Sequence, residues 1–206
     1  MRANLFLMTN LIFLASCATN IPEVVDNSID SSNTELESTV FKNDSFAGVQ
    51  FFMDGMLFFE QGDYARAIIE FQDSIEAGSN SPEVYFNMSE AYWMLQKYDK
   101  SISLAKKAIL LDDSAVDYKI SLGKKYIALN NYELSLDVFN GIALKNPKNA
   151  DVIFIIGDLK AELNDVDGAL LYYQEAYNVD NELILALEVA AQLAYNSNHR
   201  DLPKIF

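Results

Sequence analysis

The 206 residues include one cysteine, one histidine, one tryptophan and four prolines. A lone cysteine cannot close an internal disulfide, so cysteine usage by itself says nothing about redox compartment. The histidine, His199, stands in a polar tail beside Arg200, with Asp201 two residues beyond it. A His-rich metal site is therefore excluded. No glycine-rich phosphate loop and no G-x-S-x-G nucleophile turn is present. Cations are scarce as well: 15 Lys and Arg face 30 Asp and Glu, a net charge of −15. That balance lacks the basic footprint on which nucleic-acid binding depends. The longest apolar run, near the amino terminus, is too short for a comfortable membrane span.

What is present is apolar mass. Half of the residues are hydrophobic and 12% are aromatic, ample for the core of one domain or one short repeat array. At the amino terminus Arg2 precedes "LFLMTNLIFLAS", an apolar run broken only by Thr9 and Asn10, with the length of a signal-peptide core. It ends in Leu14-Ala15-Ser16-Cys17, which resembles the lipobox of bacterial lipoprotein precursors. The resemblance implies that residues 1–16 are a removable signal peptide and that the Cys17 thiol receives a diacylglycerol, the new amino terminus being acylated in turn. Each buried methylene contributes about 0.8 kcal/mol, so two or three chains would hold the protein to a membrane where one would not. Ala18 in place of Asp implies sorting to an outer membrane, facing the periplasm. With Cys17 lipidated, no Cys–His nucleophile remains.

Residues 17–47 read as that lipidated cysteine followed by a flexible acidic tether, with a partly packed segment around Val40–Phe46 as the alternative. The stretch is rich in Asn, Ser, Asp and Glu and has little apolar periodicity, so it buries too little surface to offset the entropy of ordering. Beyond Gly48 the chain repeats every 34 residues, and no insertion shifts the register. The blocks are 48–81, 82–115, 116–149 and 150–183. Small residues recur at Gly55, Ser89, Gly123 and Gly157, and again at Ala67, Ser101, Ser135 and Ala169. Tyr64, Tyr98 and Tyr132 keep one register, with Val166 in the fourth block. Apolar spacing within each block predicts two helices of roughly 12–15 residues joined by a short polar turn. The turns hold Gly62-Asp63, Gln96-Lys97, Asn130-Asn131 and Asn164-Asp165, and Gly or Asn suits the left-handed conformation that ends a helix. The paired small residues predict close approach of the two helices, with Phe71, Phe139 and Tyr173 filling the space toward the next pair. One such hairpin leaves a face bare, and stacking completes the core.

This period and pattern resemble the tetratricopeptide repeat. Leu122-Gly123-x2-Tyr126 matches its first element, Ala169-x3-Tyr173 approximates its second, and Pro147 stands where its proline ends the second helix. The resemblance spans 48–183 and implies an all-α solenoid of four helix-turn-helix repeats. There are departures. Asp54 replaces the usual leucine, Lys119 and Lys160 stand at sites normally aromatic or apolar, and Gly141-Ile142 replaces an expected alanine, predicting a bent or looser second helix in the third repeat. Residues 184–206 read as a capping helix, Ile184–Tyr195, and a tail. With only Glu188 and Gln192 as polar residues, that helix is either covered by the tail or in contact with a second subunit as a homodimer.

In the tetratricopeptide family the first helix of each pair lines a groove that grips peptides. By register the resemblance assigns that lining to Phe52, Met56, Phe59, Phe86, Glu90, Trp93, Ile120, Lys124, Ile127, Phe154, Asp158 and Ala161. Two apolar rows then flank a mostly charged one, while Phe51, Tyr85, Met88, Leu122 and Ile156 serve the core. Charge is uneven: the third repeat has five lysines against three acids, and the fourth has one lysine against eight acids, a polarity able to orient a dipolar partner. Abundant surface carboxylates without a pocket are solvation rather than a catalytic pair. The expectation is a non-catalytic, membrane-anchored scaffold that needs neither cofactor nor metal and holds a protein or peptide partner of a bacterial envelope complex. A carrier whose groove holds a small apolar ligand or lipid is the alternative.

Overall fold

A computed structural model describes residues 32–197. Among the described residues there are nine helices and no strand. In chain order they are α1 (Ser32–Glu60), α2 (Tyr64–Glu76), α3 (Pro82–Met94), α4 (Tyr98–Leu111), α5 (Val116–Ala128), α6 (Tyr132–Lys145), α7 (Ala150–Glu162), α8 (Val166–Val179) and α9 (Ile184–Asn196). Each helix packs on the one that follows it, which makes the expected all-α solenoid of helical hairpins. No described helix is long and apolar enough to cross a membrane. The expected signal peptide, Cys17, the expected tether up to residue 31, and residues from 198 on with His199 lie outside the described residues.

The tether reading of 17–47 needs correction in its second half. α1 begins at Ser32, so 32–47 is helix rather than coil. No proline or glycine separates Pro22 from Gly48. Extending a helix already nucleated by packing costs little per residue, and nothing in that stretch stops it. The remaining helices are 13 or 14 residues long, as their periodicity predicts.

Turn chemistry fixes the register. Gly62, Gln96, Asn130 and Asn164, spaced 34 apart, all have positive φ, between 57° and 78°. This left-handed residue lets the following N–H reach back five residues, as from Asp63 to Phe58 O at 2.9 Å and from Asn131 to Tyr126 O at 2.9 Å. Asp63 and Asp165 then cap the next helix, accepting from Arg66 N at 3.2 Å and Gly168 N at 3.0 Å.

Inside each hairpin, residue size on one helix answers size on the other. A Cβ on Gly55, Gly123 or Gly157 would lie 2.5 to 2.7 Å from the ring of Phe71, Phe139 or Tyr173 respectively. Where Ser89 replaces the glycine, Ala105 replaces the aromatic. The rings thus sit on the glycines of their own hairpin and also reach the next one, Phe139 joining Val152, Ile156 and Leu159. The second series of small residues is buried too: Ser135 Oγ donates to Gly123 O at 2.9 Å, and Ser89 and Ser101 hydroxyls meet at 3.2 Å. The looser packing expected of the third repeat is seen, α5 and α6 meeting less extensively than the helices of the other three hairpins. α6 nevertheless runs unbroken to Lys145, with Gly141 facing open space and Ile142 beside it buried.

Candidate binding groove

The first helices α1, α3 and α5 border an open depression of about 590 Å³. Six of the residues assigned to the groove line it: Phe59, Phe86, Glu90, Trp93, Ile120 and Lys124. All are half-buried except Lys124, which is exposed. The wall residues are held from behind. Phe59 lies edge-on to Tyr64 at 5.3 Å, Phe86 stacks on Tyr118 at 4.5 Å, and Trp93 meets Tyr98 at 4.7 Å. Aromatic surfaces fixed in this way lose little side-chain freedom when they are covered.

The other assigned residues are not part of this depression. Phe52 and Met56 pack on the cluster around Phe71, with the Phe52 and Phe71 rings 5.9 Å apart. Ile127 packs against the Phe139 cluster, and Ala161 and Phe154 against the Tyr173 cluster. Asp158 accepts a hydrogen bond from Tyr173 Oη at 2.8 Å. Burial raises the Asp158 carboxyl above the ordinary carboxylate range, against the lowering effect of that bond. Burial, with Asp158 beside it, also pushes the Tyr173 phenol up. Of the five residues assigned to the core, Met88, Leu122 and Ile156 are buried, whereas Phe51 and Tyr85 are only half-buried.

The floor of the depression contains a feature that register-based reading missed. Lys125 is only 4% exposed and forms an ion pair with Glu90, which is 27% exposed. The Lys125 ammonium also donates to Ser121 Oγ at 2.6 Å, and Ser121 Oγ donates to Glu90 Oε1 at 2.7 Å. The same ammonium lies 5.6 Å from the centre of the Trp93 ring. A buried charge needs a partner of this kind. Asp117, Ser121, Lys125 and Ala128 complete the lining. A signal was available: at the 34-residue offset Lys125 stands in a column with Leu57, Ala91 and Leu159, a lone charge among apolar residues.

The lysine excess of the third repeat is largely answered by acids of the second. Lys119 and Lys145 both hold Asp113 of the preceding repeat, Lys119 at 2.6 Å, and together they lower its carboxyl to about 2. With Lys125 on Glu90, three of the five lysines in the third repeat are engaged by carboxylates. A larger open depression, about 830 Å³, follows the α6–α7 turn, where Lys145, Lys148, Asp151 and Asp180 give it a polar rim and no aromatic wall.

The tetratricopeptide repeat family model matches residues 52–116 and 120–182. Human tetratricopeptide repeat protein 12 is 28% identical over 109 residues, covering 53% of this chain and 15% of that protein. A TPR repeat-containing protein of Methanocaldococcus jannaschii is 23% identical over 124 residues, covering 60% of this chain and 22% of that one. The chain therefore spans only a small part of the length of the curated relatives it matches. Among solved structures, MamA (residues 41 to the end) from Desulfovibrio magneticus RS-1 superposes with a TM-score of 0.64 at 16% identity, over 74% of this chain and 86% of that one. YrrB, described as a TPR protein with an unusual peptide-binding site, superposes with a TM-score of 0.59 at 19% identity, over 77% of this chain and 85% of that one.

Proposed function

Because the chain belongs to the tetratricopeptide repeat family, whose repeats mediate protein–protein interactions, we propose that it is a non-catalytic scaffold that grips a peptide segment of a protein partner between α1, α3 and α5. The observation that carries this is the depression itself. Three successive first helices contribute Phe59, Phe86, Trp93 and Ile120 as rigid apolar walls, with charged Lys124 and Asp117 beside them. Aromatic anchors in a partly desolvated recess, rimmed by charge, are the usual source of most binding energy in a protein interface. The open shape suits a chain segment better than an enclosed small molecule.

The lipobox-like Leu14-Ala15-Ser16-Cys17 supports the second half of the proposal: the scaffold is lipid-anchored in a bacterial envelope, with its groove offered to other envelope proteins. Lipid precursor should label the chain, and Cys17→Ser should abolish the label; labelling that survives the substitution refutes the anchor. For the groove, a photo-crosslinking residue at Trp93 should capture a defined protein in cells, and one at Leu110, exposed on α4, should not. Capture at Leu110 with none at Trp93 overturns the groove assignment. Co-purification of a small apolar molecule, seen by native mass spectrometry and lost on Trp93→Ala, supports the carrier reading instead.

A further inference from the structure

One face of α1 is apolar and open. Phe46, Val49, Met53 and Leu57 are 71%, 55%, 59% and 56% exposed. Their spacing of three, four and four residues places them on one stripe, opposite the face through which buried Gly48 and Gly55 meet α2. At 34-residue offsets from Leu57 stand Ala91, Lys125 and Leu159, each buried by the repeat before it. By the same offset a second helix preceding α1 would occupy residues 30–42. α1 instead runs unbroken from Ser32. The chain enters α1 about 21 Å ahead of Phe46, at 1.5 Å per residue, and would have to double back to cover the stripe.

We propose that the stripe seats a second copy of the chain, with the two α1 helices antiparallel about a two-fold axis near residues 51 and 52. Reversal of the stripe reproduces its pattern to within one residue, setting Phe46 across from Leu57 of the second copy and Val49 within one residue of Met53. The polar flank agrees. Gln50 and Asp54 border the stripe, with Gln50 Nε2 donating to Asp54 Oδ1 at 3.1 Å within the helix. Antiparallel helices place like flank against like flank, so the same axis brings the Gln50 donor of each copy beside the Asp54 acceptor of the other. Such two-fold, self-complementary contacts are the commonest in soluble oligomers, and exposed apolar patches of this kind mark interfaces. α9 also exposes Ile184, Leu185 and Tyr195, but Glu188 and Gln192 are exposed among them. The net charge of −15 argues against an anionic membrane surface as the occupant.

The pairing is independent of what the groove holds. The overlap runs over residues 43–60 of each copy, about 27 Å of helix, an interface at the small end of the stable range. The dimer should therefore dissociate in the micromolar range. Sedimentation equilibrium of the full chain in density-matched detergent should show it. Met53→Asp and Leu57→Asp, at exposed sites that leave far-UV circular dichroism unchanged, should each weaken it at least tenfold, while Tyr195→Asp should not. In a Cys17→Ser background, a mixture of Val49→Cys and Met53→Cys chains should form a disulfide-linked dimer between the two on mild oxidation. A monomer at every concentration overturns the proposal, as does a dimer that only Tyr195→Asp disrupts. So does a monomer in which upstream residues protect Met53→Cys from thiol labelling.

Discussion

Glu90→Gln should cost much more stability than Lys125→Met, although both break the same ion pair. The asymmetry follows from exposure. Lys125 is 4% exposed and Glu90 is 27% exposed. Removing the carboxylate charge leaves a desolvated ammonium facing only neutral partners, the Gln amide oxygen, the Ser121 hydroxyl and the Trp93 ring. Breaking a fully buried pair in this way costs about 3–5 kcal/mol. Water reaches Glu90, which weakens the pair, so about 2 kcal/mol is expected. Lys125→Met removes the buried charge itself and fills the same space with an apolar chain, while the remaining carboxylate can turn to solvent and still accept from Ser121. Its cost should be within about 1 kcal/mol of zero. The double variant should recover part of the loss seen with Glu90→Gln alone. Urea unfolding followed by far-UV circular dichroism measures all three. A Lys125→Met loss equal to or above that of Glu90→Gln would refute the reasoning, because it would mean that the pair itself is strongly net stabilising.

Two glycine substitutions should differ in sign: Gly157→Ala meets the Tyr173 ring at 2.7 Å and should lose about 1–3 kcal/mol, whereas Gly141→Ala meets nothing within 4 Å and should gain up to about 1 kcal/mol by helix propensity, both read from urea midpoints. Gln96 holds φ 59° where other repeats use Gly or Asn, so Gln96→Gly should raise the thermal midpoint; a fall would show that the side chain matters more than the backbone strain. The folded-state pKa of Asp158 lies above its unfolded value, so its ionisation opposes folding and its contribution worsens as pH rises through the range just above the ordinary carboxylate value. Asp158→Asn should therefore stabilise the chain at pH of about 7 and leave it little changed below about 4, while keeping the Tyr173 hydrogen bond; equal effects at both pH values would contradict the burial argument.

Sequence alone revealed most of the fold because each repeat writes the same physical problem in the same register. The turn residues Gly62, Asn130 and Asn164 announce the left-handed position, and Gln96 is legible only through its offset from them. The size match of Gly55 to Phe71 and of Ser89 to Ala105 is also visible, once the two columns are compared across repeats. The start of α1 was not. Composition describes what a free segment would do, whereas Ser32–Ala47 continues a helix already held at Gly48 by Ser74 Oγ, 2.7 Å from its carbonyl. The groove was half legible. Helical phase separates first-helix residues that face outward from those that face inward, but it cannot say how closely two repeats approach. Ile127 and Phe154 are in phase with Trp93 and Phe86, yet they pack onto core clusters. Lys125 went unread because a lysine suggests surface until its partner, 35 residues earlier, is seen.

Contacts mainly between successive helices also govern how the chain comes apart. With no strand or distant segment tying one end to the other among the described residues, opening can begin at either terminal helix and advance one hairpin at a time. α3 and α5 have neighbours on both sides, so amide hydrogens there should exchange last and those of α9 among the first. The α3 and α5 walls of the recess should therefore outlast the α9 end of the molecule. A partner seated in it could remain held while the carboxyl-terminal hairpin breathes, and a pull on that end of the chain would be absorbed by unravelling before it reached the grip.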